Sequence, residues 1–170
     1  MPTPDIKWFE SPHQWGRAGE LPKAIVIHSM GGTLAGCDAW FRNPTSQVSA
    51  HYGVGLSGEI HQYVDESQSA WANGRLEPGN TWPYSGEPGP NLVTLSIETE
   101  DTLASLPVTD EQYASVLYLC SRMVGRWGTI EWLLSHRVIS PVTRKSCAGD
   151  RWNSGRFHDL AKDLGVPLKI

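Results

Sequence analysis

No run of lysines and arginines interrupts this sequence, and no apolar stretch in it approaches the roughly 20 residues that span a bilayer. The first absence, with a formal net charge of −4 and a pI of about 5.8, removes the electrostatic footprint of a nucleic-acid binder. The second argues against membrane insertion. Met1-Pro2-Thr3-Pro4-Asp5 lacks the basic and apolar regions of a signal peptide, so the chain is expected to stay in the cytoplasm until something releases it. Cysteine is scarce as well. Three residues, an odd number without framework spacing, fit a reducing compartment better than a disulfide scaffold. Internal repeats and low-complexity tracts do not occur. A length of 170 residues suits one domain and is short for two.

Tryptophan, by contrast, is plentiful, with eight in the chain. Some are candidates for a groove and some for core filling. Residues 1–22 read as an extended arm in which His13 and Trp15 are surface packing, and residues 23–170 read as the domain proper. Ala24-Ile25-Val26-Ile27-His28 is an apolar, β-branched run of the kind that forms a strand covered on both faces. Thr33 caps a helix whose apolar stripe is Leu34, Cys37, Trp40 and Phe41, ending before Asn43-Pro44. Residues 47–54 and 59–64 flank Leu56-Ser57-Gly58 and predict a hairpin. His51 falls inside it and is a candidate substrate contact.

Residues 74–91 predict a long loop that carries Trp82 and Tyr84. Either these aromatics wall a substrate groove or they pin the loop to the core. From Leu92 to Thr99 the pattern alternates, with Val93, Leu95 and Ile97 on one face and Thr94, Ser96 and Glu98 on the other. Thr109-Asp110-Glu111-Gln112 has the form of a capping box, and the helical spacing that follows runs to Gly128 with Cys120 on its apolar stripe. A last helix is expected from about Ser154, stopped by Gly165 and Pro167. Strands alternating with helices predict a single α/β domain, a central mixed β-sheet flanked by helices.

The most informative stretch is Ser135 to Asp150. It holds His136 and Cys147 at the ends of a short loop stiffened by Pro141, with Lys145 two residues before the thiol. Imidazole and thiolate are both zinc ligands, and catalytic zinc takes three protein ligands and leaves a fourth position to water. His28, at the end of an expected buried strand and before Ser29-Met30-Gly31-Gly32, is the best third ligand.

Val26-Ile27-His28, Val48-Ser49-Ala50-His51-Tyr52, Ser96-Ile97-Glu98 and His136…Lys145-Ser146-Cys147 occur in an order that resembles the zinc-dependent N-acetylmuramoyl-L-alanine amidases. That group includes phage endolysins and muropeptide-recycling amidases, and peptidoglycan-recognition proteins share its fold. The resemblance spans roughly residues 20 to 160. It implies one zinc ion on His28, His136 and Cys147, with Glu98 as general base and Lys145 beside the oxyanion. It further implies a monomer acting on peptidoglycan or muropeptides, a phage lysin before other roles. Trp71, in Ala70-Trp71-Ala72-Asn73-Gly74, resembles a family segment near the substrate. Departures occur too. The third ligand is commonly aspartate where this chain has Cys147, and the loop between His136 and Cys147 is one residue longer than in many relatives. A histidine that often follows the tryptophan is here Ala72, and Ala50 occupies the place of a tyrosine that contributes to catalysis in some members.

Two other readings compete. A peptidoglycan-binding module on the same fold needs no intact ligand set. A cysteine hydrolase would use Cys147 as nucleophile and His136 as its base, leaving His28 without a role.

Overall fold

The computed structural model describes residues 4–84, 88–102, 106–152 and 154–170. Its elements in chain order are β1 (Ile6–Trp8), β2 (Gln14–Gly16), β3 (Ala24–Ser29), α1 (Leu34–Arg42), β4 (Tyr52–Val54), β5 (Ile60–Gln62), β6 (Gln68–Ala70), β7 (Thr94–Thr99), α2 (Asp110–Trp127), β8 (Trp132–Ser135), α3 (Ser154–Leu164) and β9 (Leu168–Lys169). Seven of the strands form one sheet in the order β1-β5-β4-β7-β3-β8-β9. β3 runs parallel to both neighbours, β7 and β8, whereas β4 and β5 are antiparallel. The result is a single α/β domain on a mixed sheet.

The β3 run is apolar throughout because both faces of that strand are covered. Ile25 and Ile27 join Leu95, Ile97 and Leu133 under α2 and α3, where Val116, Leu119, Cys120, Met123, Phe157 and Leu160 complete the main core. Ala24 and Val26, pointing the other way, pack with Leu134, Val138 and Ile139.

Helix ends follow local chemistry. The Thr33 hydroxyl accepts from the Gly36 N–H at 3.0 Å, and the Thr109 hydroxyl accepts from the Gln112 N–H at 3.1 Å. α2 stops at Gly128, whose φ of +59° suits glycine. One half of the expected capping box is put to another use. The Gln112 side chain is fully buried and donates to the carbonyls of Val54 and Glu100, tying the helix to the sheet.

Two departures from the expected organisation matter for the site. β1 pairs in parallel with β5, and β2 pairs antiparallel with β6, so residues 4–22 supply strands to the domain instead of an arm leading into it. β8 was not foreseen either: four residues with no turn signal after them carry too little pattern.

Candidate active site

The parallel strands β7, β3 and β8 end at the same edge of the sheet, and each brings a functional side chain there. His28 is the penultimate residue of β3 and Glu98 is its register partner on β7. Both lie on the face turned away from α2 and α3, as the alternation of the two strands requires. His136 directly follows β8 and opens a short 3-10 turn. Cys147 comes from the loop beyond. That loop is wound by hydrogen bonds from the N–H of Arg144 to the Ser140 carbonyl and from the N–H of Cys147 to the Arg144 carbonyl.

His28 Nδ1 lies 3.0 Å from His136 Nδ1 and 3.9 Å from the Cys147 sulfur, and one ligand atom from each residue falls within 4.8 Å of the others. The spacing fits a metal. In a tetrahedral zinc site two ligand nitrogens stand about 3.4 Å apart, and a nitrogen and a sulfur about 3.6 Å apart. Tautomers point the same way. His136 Nε2 sits 3.2 Å from the Asn73 carbonyl, which can only accept, so the proton resides on Nε2 and Nδ1 offers its lone pair. Two Nδ1 atoms this close are held together by a proton or a cation between them, and the cysteine sulfur gives a cation a third donor.

Glu98 stands beside this cluster, Oε1 being 3.9 Å from His28 Nδ1, and its Oε2 is buried with no partner among the described residues. Without metal, burial and then nearby Asp101 raise its pKa to about 8. Burial also lowers His136 to about 4, holds His28 well below the usual imidazole value with His136 adding to the effect, and pushes the Cys147 thiol up to about 12. All four groups are thus biased to neutrality in a low-dielectric pocket. A bound cation reverses that logic for the carboxyl and the thiol.

Comparison with known proteins gives this geometry its place. Residues 18–150 match the family described as N-acetylmuramoyl-L-alanine amidase. The chain belongs to that family. Over 62 residues it is 42% identical to N-acetylmuramoyl-L-alanine amidase A of Achromobacter lyticus, a stretch covering 36% of this chain and 35% of that one. Against 1,6-anhydro-N-acetylmuramyl-L-alanine amidase AmpD of Enterobacter cloacae it is 28% identical over 176 residues, with 92% and 90% of the two chains covered. Among solved structures, a selenomethionine AmpD derivative superposes with a TM-score of 0.75 at 28% identity, covering 91% of this chain and 93% of the other. An endolysin amidase, LysCS of Clostridium intestinale, shares the fold with a TM-score of 0.68 at 18% identity, covering 96% and 97%. Family membership places the chain among amidases that act on peptidoglycan.

Two cleft arms open beside the amidase's cluster. The first, of about 710 Å³, is lined by His28, Glu98, Cys147, Lys145 and the Gly31-Gly32 turn. The second, of about 770 Å³, is lined by Trp15, Asn73, Arg75 and Asn91. His136, Trp71 and Arg144 border both. Lys145 and Trp71 therefore reach the cleft.

Three other candidate contacts do not. His51 is buried at 1% exposure, where its Nδ1 accepts the Ser96 N–H at 3.0 Å and its Nε2 faces the Gln68 carbonyl, so it locks strands together. Trp82 and Tyr84 pack edge to face on the Ala24, Val26 and Leu134 cluster, and the Tyr84 hydroxyl donates to the Lys23 carbonyl. The loop is pinned to the core, which is one of the two readings its composition allowed.

Supporting residues escaped the sequence. Arg144 borders both arms and hid beside Lys145. The Ser29 N–H donates to the Cys147 sulfur at 3.4 Å, and Asp101 holds that turn by accepting from the Ser29 hydroxyl and, at 2.7 Å, from the Gly32 N–H. Glu77 accepts from the N–H groups of Val142 and Thr143 at 2.8 and 3.0 Å, fixing the loop that presents Lys145 and Cys147. Gly149, with φ at +80°, leaves room for Ser29: a Cβ there would come within 3.2 Å of its Oγ.

Proposed function

We propose that the protein is a zinc-dependent amidase cleaving the bond between the lactyl group of N-acetylmuramic acid and L-alanine in peptidoglycan. The observation that carries this reading is the buried trio His28, His136 and Cys147 with the unpartnered Glu98 carboxyl beside it, in a chain of this family. Zinc held there supplies an acidified water and a polarised carbonyl. Glu98 takes the proton from the attacking water and delivers it to the leaving amine nitrogen. Lys145, an exposed cation on the wall of the first arm, brings its ammonium to the developing oxyanion.

Two observations weigh against the competing readings. A binding module has no use for a carboxyl kept buried without a partner. A cysteine nucleophile needs a depressed thiol pKa, whereas burial pushes that of Cys147 up to about 12.

As to setting, we place the enzyme as a phage lysin: a monomer made in the cytoplasm that meets the wall only on release. The fold shared with the Clostridium endolysin supports this. The likeness to AmpD supports instead a recycling enzyme acting on muropeptide fragments. Mass spectrometry of products from purified peptidoglycan tests the reaction. Free peptides beginning with L-alanine, with the glycan strands intact, are expected. Products cut at glycosidic or inter-peptide bonds would overturn the assignment.

A further inference from the structure

Trp15 is half exposed, at 49%, yet it is held in place. It sits in β2 opposite Ser69 of β6, and its indole N–H donates to the Ser69 hydroxyl at 3.0 Å, which in turn donates to the Asn91 carbonyl. Its ring lies 5.1 Å from that of Trp71 at an interplanar angle of 46°. Trp71 also packs against His13, whose ring is 5.3 Å away. The two indoles form a shallow aromatic corner in the wall of the second arm. A large apolar side chain fixed by hydrogen bonding while open to solvent gains nothing for the core and is preorganised for a ligand.

The polar groups around this corner narrow the ligand. The Trp71 indole N–H is buried without a partner among the described residues. The side chains of Asn91, Arg75 and Arg144 line the same arm. A pyranose matches the combination: its C–H face stacks on indole while hydroxyl and acetamido groups at the rim meet amides and guanidinium groups.

Topology of the cleft gives direction. His28, Glu98 and Cys147 border the first arm alone, Trp15 borders the second alone, and His136, Trp71 and Arg144 stand where the arms meet. The scissile amide joins a sugar to a peptide, so a bound substrate leaves the metal cluster in two directions. The first arm is walled by Gly31 and Gly32, at both of which the space for a Cβ is open, and it suits an extended peptide.

Building on the function proposed above, we propose that the second arm is a saccharide subsite. In it Trp15 stacks on a sugar of the glycan strand next to the muramic acid that carries the scissile amide. The preferred substrate then holds at least two sugars.

The test uses two substrates with the same dipeptide stem, N-acetylmuramoyl-L-alanyl-D-isoglutamine and its N-acetylglucosaminyl-N-acetylmuramoyl counterpart. The intact enzyme is expected to favour the two-sugar substrate by about tenfold in kcat/KM, a typical yield for one stacked ring. Trp15→Ala should bring that ratio close to one, mainly through KM, and Trp15→Phe should keep part of it. A misfolded fraction lowers both rates alike and cancels in the ratio. An unchanged ratio in Trp15→Ala would overturn the proposal. So would a Trp15→Ala defect that grows with peptide length on a single sugar, which would make this arm the peptide's. The reaction itself is judged on purified peptidoglycan as above, and if neither dipeptide substrate is cleaved the subsite is judged by binding. Titration with N,N′-diacetylchitobiose should shift the Trp15 and Trp71 indole N–H resonances, and the absence of any shift would rule the platform out.

Discussion

His28 and Glu98 face each other across adjacent parallel strands, 3.9 Å from Nδ1 to Oε1, so the two side chains are fixed by the same ladder of backbone hydrogen bonds. His136 directly follows the neighbouring strand β8, whereas Lys145 and Cys147 come from a loop and depend on what ties that loop down. Rigid placement on a strand suits the proton-carrying role proposed for Glu98, because such a group's reach must match the reacting water within a few tenths of an ångström.

Glu98→Gln should therefore fold and load zinc as the parent does, since the amide keeps the carboxyl's shape. It cannot take up a proton near neutrality, and kcat should fall by about 10²- to 10⁴-fold. Steady-state kinetics with metal analysis of the same preparation check this. Turnover near the parent value would reduce Glu98 to a structural carboxyl.

Cys147→Asp should retain zinc and a measurable share of activity, because a carboxylate is also a zinc ligand. A strong chelator should silence the parent protein and added zinc should restore it. Should the aspartate variant be dead though folded, and the parent resist chelation, the thiol would have to be read as a nucleophile.

Asp101 touches none of the three ligands, yet it holds the turn whose Ser29 N–H points at the Cys147 sulfur. Asp101→Ala should weaken zinc binding by about 10- to 100-fold, the usual cost of losing support behind a ligand. Competition with a chromophoric chelator measures it directly. Asp101→Asn keeps an acceptor oxygen and should fall between the two.

His51 provides a pH signature independent of catalysis. Burial, and then the Arg17 guanidinium, lower its pKa from 6.5 to about 3. The folded state thus holds this imidazole neutral while the unfolded state protonates it below pH 6.5. Its contribution is complete above that value and is lost as pH falls towards 3, at about 1.4 kcal/mol per pH unit. Urea titrations of the metal-free protein between pH 6 and 4 should show a shallower decline in His51→Gln. Equal slopes for the two proteins would show that His51 titrates normally.

Legibility from sequence tracked the length of each pattern. The six-residue runs that became β3 and β7 carried enough alternation and β-branching to place His28 at a strand end and Glu98 on the polar face. α2 announced itself through a cap, a stripe and a terminal glycine. Strands of three residues, such as β1, β2 and β6, have no period to read, and from sequence Trp15 reads as surface packing. His51 looked like a site residue because its neighbours matched a motif, but only coordinates reveal that both its ring nitrogens are engaged by the backbone. For Arg144 the sequence held no distinguishing signal beyond its nearness to Lys145 and the thiol.

The separation of the ligands along the chain has a consequence for how the molecule is made. His28 lies 108 residues before His136 and 119 before Cys147, and β3 has no partner until β7 and β8 exist. On the ribosome, the apolar strand β3 waits with both edges bare until β7 is made and with one edge bare until β8 follows, the interval in which chaperones and aggregation compete for such segments. If His28, His136 and Cys147 hold zinc as proposed, its capture waits for Cys147, which follows β3, β7 and β8 in the chain.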